Sequence, residues 1–374
     1  MSVALHYQWS GPAGAPVLVL GSSLGTTGTM WEPQLPALHR HFRVLRYDHR
    51  GHGASPTPAG PYTIDDLGGD VLALLDTLGV ERVSYAGISL GGMVGMWLAA
   101  TAPERVNRLV LCCTSARFDT PQPWIERAAQ VRANGTSAVA EQVVARWFTP
   151  AFAAHEPALV ASAHAAIIGT PRQGYAGCCD ALAALDLRPV LPAITAPTLV
   201  VAGADDQATP PAYGRAIAAA IRGARLAVIP GAAHLANVEA PDAVTALLVG
   251  HLAQPPGMAV RREVLGDAHV DRATAGADAF TADFQDLITR YAWGEIWSRP
   301  SLDRRTRSAI TLAMLATLHH DEELAIHVRA ALRTGLTREE IKEVLLQVAI
   351  YAGAPAANRA FAVAQRTFQS LDAG

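Results

Sequence analysis

The pattern of apolar and polar positions divides the chain into two parts. Up to about residue 252, short runs rich in valine and leucine alternate with longer amphipathic stretches of helical length. Such runs are typical of strands buried on both faces, and helical connections between them indicate parallel crossovers. The first part is therefore predicted to be an α/β fold with a doubly wound, mostly parallel sheet. The expected strands are residues 16–20, 42–47, 82–87, 108–113, 197–203 and 224–230.

One long segment interrupts this alternation. Between about residues 117 and 189 there is no convincing strand, only alanine-rich helical stretches that carry Trp124, Trp147 and Phe148. An all-helical insertion between two strands is typical of a lid over the carboxyl edge of a sheet, and we expect a lid here.

The pattern changes again after residue 252. The prolines and glycine of residues 255–257 indicate a short linker, and residues 281–370 show no strand-like alternation. Thr337 can cap a helix with Glu340 three residues on, and Gly353 can end it. We expect an α/β domain over residues 1–254 and an all-α domain over residues 258–374. The expected helices are residues 283–293, 302–318, 321–333, 337–352 and 355–371.

Composition and charge narrow the class of protein. The 374 residues are 50% hydrophobic and 17% charged, so two sizeable cores are possible. A net charge of −3 gives no electrostatic reason to expect a nucleic-acid partner. The N-terminus lacks signal-peptide features, no apolar run is long enough for a bilayer, and the 4 cysteines lack zinc-ligand spacing. We expect a cytoplasmic protein without a metal or cofactor, its cysteines buried as small apolar residues.

A candidate nucleophile lies where the third expected strand meets a helix. Ser89 stands in the sequence YAGISLGG, a G-x-S-x-G pattern that is weak by itself. Between a strand and a helix, however, this pattern is typical of a sharp turn that exposes the serine hydroxyl. We expect a strained backbone at Ser89, with Gly87, Gly91 and Gly92 present because larger side chains would collide there.

A serine hydroxyl needs a base, and the base needs an orienting acid. Asp205 and Asp206 follow one late strand, and His234 follows the next. We favour Asp206 as the acid because it fits a G-x-x-D pattern counted from Gly203, with Asp205 as the alternative. His234 alone could be an ordinary loop histidine, but the order of serine, acid and histidine favours catalysis.

The oxyanion formed during acyl transfer needs backbone N–H donors. We expect one donor to be the amide of Leu90, directly after the serine. The other is expected to be the amide of Leu24, in the early loop GSSLGTTGTMW. The alternative is that this loop is a glycine-rich turn without a catalytic role.

These residues together resemble the α/β-hydrolases, over about the first 252 residues. Within that family, VLGSSLGTTGTMWEPQLPAL and GADDQATPP are most similar to 3-oxoadipate enol-lactonases. Ser22-Ser23 stands where most relatives have His-Gly, which leaves the backbone donors intact. We expect the DHRGHG stretch, residues 48–53, to be a structural turn.

The second part resembles 4-carboxymuconolactone decarboxylases, within the alkylhydroperoxidase-D-like helical superfamily. GEIWSRPSLDRRTRSAITLAMLATL and HHDEELAIHVRAALRTGLTREEIKEV carry this resemblance. The peroxidase branch of this superfamily uses a CxxC pair just before a histidine, whereas residues 321–326 lead into His327 without a cysteine. Thiol redox chemistry is therefore excluded for this domain. The resemblance implies cofactor-free decarboxylation, with Arg304 and Arg307 binding the carboxylates. His327 is expected to return the proton, and Glu295 to orient His327. For the arginines, a solvated basic face is the competing interpretation.

The two resemblances meet at one metabolite, because the decarboxylation product is the substrate of the hydrolysis. They imply a bifunctional enzyme of the protocatechuate branch of the β-ketoadipate pathway, acting on small lactones and assembling through its helical domain as a homo-oligomer. Arg117, Arg127 and Trp124 are the lid candidates for binding the substrate acid. The alternatives are an esterase of other specificity and a helical domain that serves only oligomerisation.

Overall fold

The structure is a computed structural model that describes residues 2–253, 257–278 and 280–372. The chain divides into two compact units, residues 1–253 and 254–374, each with its own hydrophobic core. The expected linker prolines, Pro255 and Pro256, lie outside the described residues.

The first unit is built on a sheet of seven strands. They are β1 (Tyr7–Ser10), β2 (Val17–Gly21), β3 (Arg43–Tyr47), β4 (Val83–Ile88), β5 (Val106–Cys112), β6 (Thr198–Gly203) and β7 (Arg225–Ile229). The order across the sheet is β1-β3-β2-β4-β5-β6-β7, and every pair is parallel except β1 with β3. The six predicted strands are confirmed. The sequence missed β1, an edge strand without an apolar run because its residues are partly exposed.

Helices connect these strands. They are α1 (Leu35–Leu38), α2 (Ile64–Thr77), α3 (Leu90–Thr101), α4 (Gln122–Asn134), α5 (Ser137–Val144), α6 (Pro150–His155), α7 (Pro157–Gly169), α8 (Arg172–Ala183), α9 (Pro211–Ala220), α10 (Ala236–Glu239) and α11 (Pro241–Leu252). Short 3₁₀ helices occupy Gly28–Gln34, Pro103–Arg105 and Arg188–Ala193. The inserted segment between β5 and β6 is helical, as predicted, apart from one backbone bridge between Arg117 and Asp186.

The second unit is all-helical. Its helices are α12 (Gly257–Leu265), α13 (Asp267–Ala275), α14 (Ala282–Ile288), a π-helix (Thr289–Ile296), α15 (Arg304–Thr317), α16 (Asp321–Arg333), α17 (Arg338–Tyr351) and α18 (Ala354–Asp372). The predicted capping box of Thr337 and Glu340 is confirmed, and Gly353 has the positive φ that ends the helix. The sequence missed α12 and α13, whose charged residues obscure a helical period.

Two apolar clusters stabilise the second unit. The larger lies among α15, α16, α17 and α18, with residues such as Leu312, Val328 and Leu345 fully buried. The smaller comprises Val264, Trp293, Trp297 and Ala330 and joins α12 to α16 through the π-helix. No single helix of the described chain is long and apolar enough to cross a membrane; only α11 and α12 taken together reach that length and composition.

Candidate active sites

Ser89 lies at the carboxyl end of β4, immediately before α3. Its backbone has φ 55° and ψ −117°, so the strained conformation predicted from the sequence is confirmed. The Ser89 amide donates to the carbonyl of Cys112 at 3.0 Å, and its own carbonyl accepts from the hydroxyl of Thr114 at 2.7 Å. These hydrogen bonds to the end of β5 hold the turn in place and offset the cost of the positive φ.

The glycines around Ser89 are required by close packing. A Cβ atom at Gly87 would overlap the carbonyl of Gly91, and one at Gly91 would overlap the backbone of Gly21. At Gly92 an added Cβ would lie 2.8 Å from the Thr114 side chain. The prediction that larger side chains would collide here is confirmed. The packing brings the end of β2 against the start of α3, so the early loop lies beside Ser89.

Asp206 and His234 form a buried pair at the same edge of the sheet. Oδ2 of Asp206 accepts from Nδ1 of His234 at 2.9 Å. The other carboxylate oxygen accepts from the amides of Ala208 and Thr209, at 2.8 and 2.9 Å. Burial alone would raise the pKa of Asp206, but His234 and the Thr209 hydrogen bonds outweigh it and lower that pKa. The carboxylate is therefore ionised at neutral pH.

Asp205, the alternative acid, is exposed, and its amide donates to the carbonyl of Ala232. The structure thus brings Asp206, and not Asp205, to the imidazole. Because Asp206 accepts from Nδ1, the neutral ring carries its proton there and leaves Nε2 as an acceptor. His234 and Ser89 line one cavity, together with Thr209 and Leu24.

The early loop contributes Ser23 and Leu24 to this cavity. Over the residues described, no hydrogen bond uses the amide of Leu24 or that of Leu90. Both amides are available for an oxyanion, whereas the Ser23 amide donates to Sδ of Met30 at 3.3 Å. The Leu90 amide also belongs to the first turn of α3, where the helix dipole favours negative charge.

Two histidines of the DHRGHG stretch hold the early loop. Nε2 of His49 lies 3.0 Å from the carbonyl of Ser22 and donates to it, and the Gly25 amide donates to Nε2 of His52 at 2.9 Å. Burial lowers the pKa of His49 to about 3 and that of His52 to about 4. Both rings are therefore neutral at pH 7, and the hydrogen bond that His52 accepts requires this. The sequence predicted a structural turn, but not its contact with the loop beside Ser89.

The helical insertion supplies the other wall of the cavity. Trp124 and Arg127 line it, with the Arg127 guanidinium 4.6 Å from the centre of the Trp124 ring. Arg146 also lines the cavity, and sequence reasoning missed it. Neither arginine has a carboxylate partner within the described ranges. The prediction that Arg117 helps to bind the substrate is wrong. Its side chain is exposed and does not line this cavity, because its backbone pairs with Asp186 at the base of the insertion.

Glu239, also missed from the sequence, ties the His234 loop to the insertion. One of its carboxylate oxygens accepts from the Ala233 amide at 2.7 Å, and the other accepts from the Thr149 amide at 3.0 Å. In addition, the Leu235 amide donates to the carbonyl of Trp147 at 3.0 Å. The position of His234 therefore depends on residues of both the sheet edge and the insertion.

In the second unit, His327 lies on α16 with its ring 6.4 Å from that of Trp297. Its Nδ1 is buried without a hydrogen-bond partner. Burial, and then the neighbouring His269, lower its pKa to about 4. The expectation that Glu295 orients His327 is wrong, because Glu295 is exposed on the π-helix and no hydrogen bond between the two is present in the described residues.

Arg304 and Arg307 are also placed differently from the expectation. Arg304 donates to the carbonyl of Trp297 and lies 3.4 Å from Glu263. Arg307 donates to the carbonyls of Leu302 and Arg299, at 3.2 and 3.1 Å. Their guanidinium groups hold the loop before α15, so part of their hydrogen-bonding capacity is used within the fold. Across the described part of the chain, no three His, Cys, Asp or Glu side chains are grouped so as to hold a metal ion.

Comparison with known proteins follows the division into two units. Residues 16–241 match the alpha/beta hydrolase fold family, and residues 282–366 match the carboxymuconolactone decarboxylase family. The first unit is 43% identical over 241 residues to 3-oxoadipate enol-lactonase 2 of Acinetobacter baylyi, covering 64% of this chain and 90% of that protein. The second is 47% identical over 115 residues to 4-carboxymuconolactone decarboxylase of the same organism, covering 31% of this chain and 86% of that protein.

A solved structure shows the same similarity for the first unit. The enol-lactonase from Burkholderia xenovorans LB400 is 46% identical, with a TM-score of 0.66, and the match covers 67% of this chain and 96% of that one.

Proposed function

The chain belongs to the α/β-hydrolase fold family, with a unit of the carboxymuconolactone decarboxylase family joined to it, and we propose that it is a bifunctional enzyme. The second unit decarboxylates 4-carboxymuconolactone to 3-oxoadipate enol-lactone, and the first unit hydrolyses that lactone to 3-oxoadipate. The reactions are consecutive steps of the protocatechuate branch of the β-ketoadipate pathway.

In the hydrolysis, the Ser89 oxygen attacks the lactone carbonyl while Nε2 of His234 takes the hydroxyl proton. Asp206 holds the ring and stabilises the imidazolium that forms. The amides of Leu24 and Leu90 stabilise the oxyanion. The ring C–O bond then breaks, the enol oxygen leaves with the proton from His234, and the enol relaxes to a ketone. Water releases the acyl group by the same steps. The single observation that carries this proposal is that Ser89 and His234 line one cavity, with Asp206 bonded to the far side of the ring.

The substrate's carboxylate needs a cation in this cavity. We assign that role to Arg127, with Arg146 beside it, because both line the cavity and lack a carboxylate partner in the described chain. A guanidinium can bind a carboxylate through two parallel hydrogen bonds. Trp124 supports the arrangement, since its ring lies against the Arg127 guanidinium.

In the decarboxylation, the C–C bond to the leaving carboxylate breaks and carbon dioxide departs. The electron pair of that bond spreads through the conjugated ring to the carbonyl oxygen of the lactone. One proton is then added to a ring carbon. The protein must bind the carboxylates, stabilise the dienolate and supply that proton. His327 is the proposed source of the proton, directly or through the neighbouring His269. Because the pKa of His327 is about 4, the free imidazole is neutral at pH 7, so it gives up its N–H proton while its other nitrogen takes a proton from water.

We further propose that the helical unit assembles with copies of itself. Ile310, Met314 and Leu318 are 40%, 58% and 61% exposed at four-residue spacing along α15 and its end. On α17, Ile350 and Tyr351 are 76% and 82% exposed. Exposed apolar residues in such a row are typical of an interface between subunits. Light scattering coupled to size exclusion should find more than one chain per particle, and a monomer would contradict this part of the proposal.

The whole proposal is tested by supplying 4-carboxymuconolactone to the full chain and following the products by NMR. The enol-lactone signals should rise briefly and give way to those of 3-oxoadipate. Hydrolysis of simple aryl esters without turnover of either lactone would instead identify an esterase of other specificity.

A further inference from the structure

The second unit contains a cavity of about 730 Å³ between α13 and α16, which we call the arginine cavity. Its charged and titratable lining consists of Arg272, Arg329, Arg333 and His269. The remaining lining is mostly apolar, and no aspartate or glutamate is among the lining residues. The apolar lining comprises Leu265, Ala268, Ile326, Leu332 and Leu371.

The three arginines differ from most others in this unit. Several other guanidinium groups of the unit are neutralised by carboxylates, in the pairs Arg262–Asp267, Arg290–Asp286, Arg305–Glu340, Arg338–Asp372 and Arg359–Asp321. In the described residues, Arg272, Arg329 and Arg333 form no such ion pair. All three are exposed, so solvent screens their mutual repulsion, but an anion placed among them would be attracted by three cations at once.

The backbone is shaped to admit one of these side chains. Gly266, between α12 and α13, has φ +86° and lies under the Arg333 guanidinium. A Cβ atom at Gly266 would lie 2.7 Å from Cζ of Arg333, closer than real Cβ contacts. The backbone conformation favours glycine at this position, and an added methyl group would displace the Arg333 guanidinium.

The charges of the arginine cavity affect the pKa of His269. Burial lowers the pKa of this imidazole, and the charges of Arg261, Arg272 and Arg329 lower it further. His269 in turn lowers the pKa of His327. His269, which lines the arginine cavity, therefore lies close enough for its charge to act on the histidine to which the decarboxylation proton has been assigned.

We infer that the arginine cavity, and not the region of Arg304 and Arg307, binds the carboxylates of the decarboxylase substrate. This inference rests on the proposed function. The substrate carries one carboxylate on a ring carbon and another on a CH₂ attached to that carbon, which is the spacing found in succinate. Two guanidinium groups can each bind one carboxylate, and the third cation stabilises the charge that moves into the ring. The apolar lining contacts the other face of the ring.

Binding is tested with succinate, which has the substrate's carboxylate spacing and no group that reacts. Calorimetric titration of the full chain should show binding that weakens with added salt. Arg272→Gln, Arg329→Gln and Arg333→Gln should each weaken it by about tenfold or more, the loss expected for one charged hydrogen-bonding group. Arg338→Gln is the matched control, because its exposed ion pair lies outside the cavity, and it should bind as the original chain does.

Gly266→Ala provides a second variant that retains all three charges. It should displace the Arg333 guanidinium and weaken succinate binding, while circular dichroism keeps the helical signal of the unit. In kinetics on 4-carboxymuconolactone, the glutamine variants should raise KM at least tenfold. Unchanged KM and unchanged succinate binding in all three arginine variants would overturn the inference.

The same measurements separate this inference from the proposed function. If the original chain does not decarboxylate the lactone but binds succinate through these arginines, the cavity remains a dicarboxylate site and the proposed reaction is wrong. If it decarboxylates the lactone and only Arg304→Gln and Arg307→Gln raise KM, the reaction stands and the arginine cavity does not bind the substrate.

Discussion

Oδ2 of Asp206 and Nδ1 of His234 lie 2.9 Å apart, joining two loops that follow neighbouring parallel strands. The Asp206 side chain is fully buried and that of His234 is 3% exposed. A buried carboxylate needs hydrogen-bond partners, and the amides of Ala208 and Thr209 complete its set. The pair is therefore built to keep one tautomer of the imidazole facing the cavity.

Asp206→Asn should reduce the rate of lactone hydrolysis by about 10⁴-fold, because an amide can favour the wrong imidazole tautomer. Asp205→Asn is the matched control, since that side chain is exposed and one residue away. Steady-state kinetics on the enol-lactone measure both. Equal losses in the two variants would show that the acid has been assigned incorrectly.

Ser89→Ala should abolish hydrolysis, by roughly 10⁴-fold or more, because no other group can form the acyl intermediate. Decarboxylation belongs to the other unit and should continue at its original rate. NMR of the reaction with 4-carboxymuconolactone should then show the enol-lactone accumulating. Hydrolysis close to the original rate would exclude Ser89 as the nucleophile.

Arg127→Gln should raise KM for the enol-lactone by about 10- to 100-fold, the loss expected when a charged hydrogen-bonding group is removed. Arg146→Gln should act in the same direction. Hydrolysis of a neutral aryl ester should change little in either variant, because that substrate has no carboxylate to bind. A parallel loss on both substrates would indicate that the arginines stabilise the insertion instead.

The stability of the first unit should fall as the pH falls from about 6.5 towards 4. Burial lowers the pKa of His49 to about 3 and that of His52 to about 4, so the unfolded chain binds more protons than the folded one in that range. Each ring should cost about 2 kcal/mol of unfolding free energy between pH 7 and pH 5. The urea midpoint for loss of ester hydrolysis, measured at both pH values, gives the change.

His52→Gln serves as the comparison for that measurement. Glutamine keeps an acceptor for the Gly25 amide but does not titrate, so the urea midpoint should depend less on pH. If the variant and the original chain show the same pH dependence, His52 is not the group responsible.

Gly91→Ala should prevent the first unit from folding or inactivate it, because the new methyl group would overlap the backbone of Gly21. Gly69→Ala is expected to have the opposite effect on stability. Gly69 lies inside α2 with nothing within 4 Å of an added Cβ, so alanine there should stabilise the helix by about 0.5–1 kcal/mol. Thermal inactivation of ester hydrolysis compares the two variants with the original chain.

Local patterns in the sequence were enough to predict the fold class and the order of the elements that carry Ser89, Asp206 and His234. Apolar runs mark buried strands, and parallel strands end at one edge, so residues after those strands were expected to meet there. The glycines around Ser89 were predictable for the same reason, because a strand-to-helix turn limits the side chains that fit. The edge strand β1 and helices α12 and α13 carry weaker periodicity and were missed.

What the sequence could not decide were contacts between side chains far apart in the chain. Glu239 reaches Thr149, and His52 reaches the early loop, through packing that no short motif encodes. The helical unit shows this most clearly. Arg304 and Arg307 stand together in the sequence, but both donate to nearby carbonyls, and Arg304 also lies beside Glu263. Arg272, Arg329 and Arg333 belong to two helices, α13 and α16, and only the packing of α12 against both places their charges around one cavity.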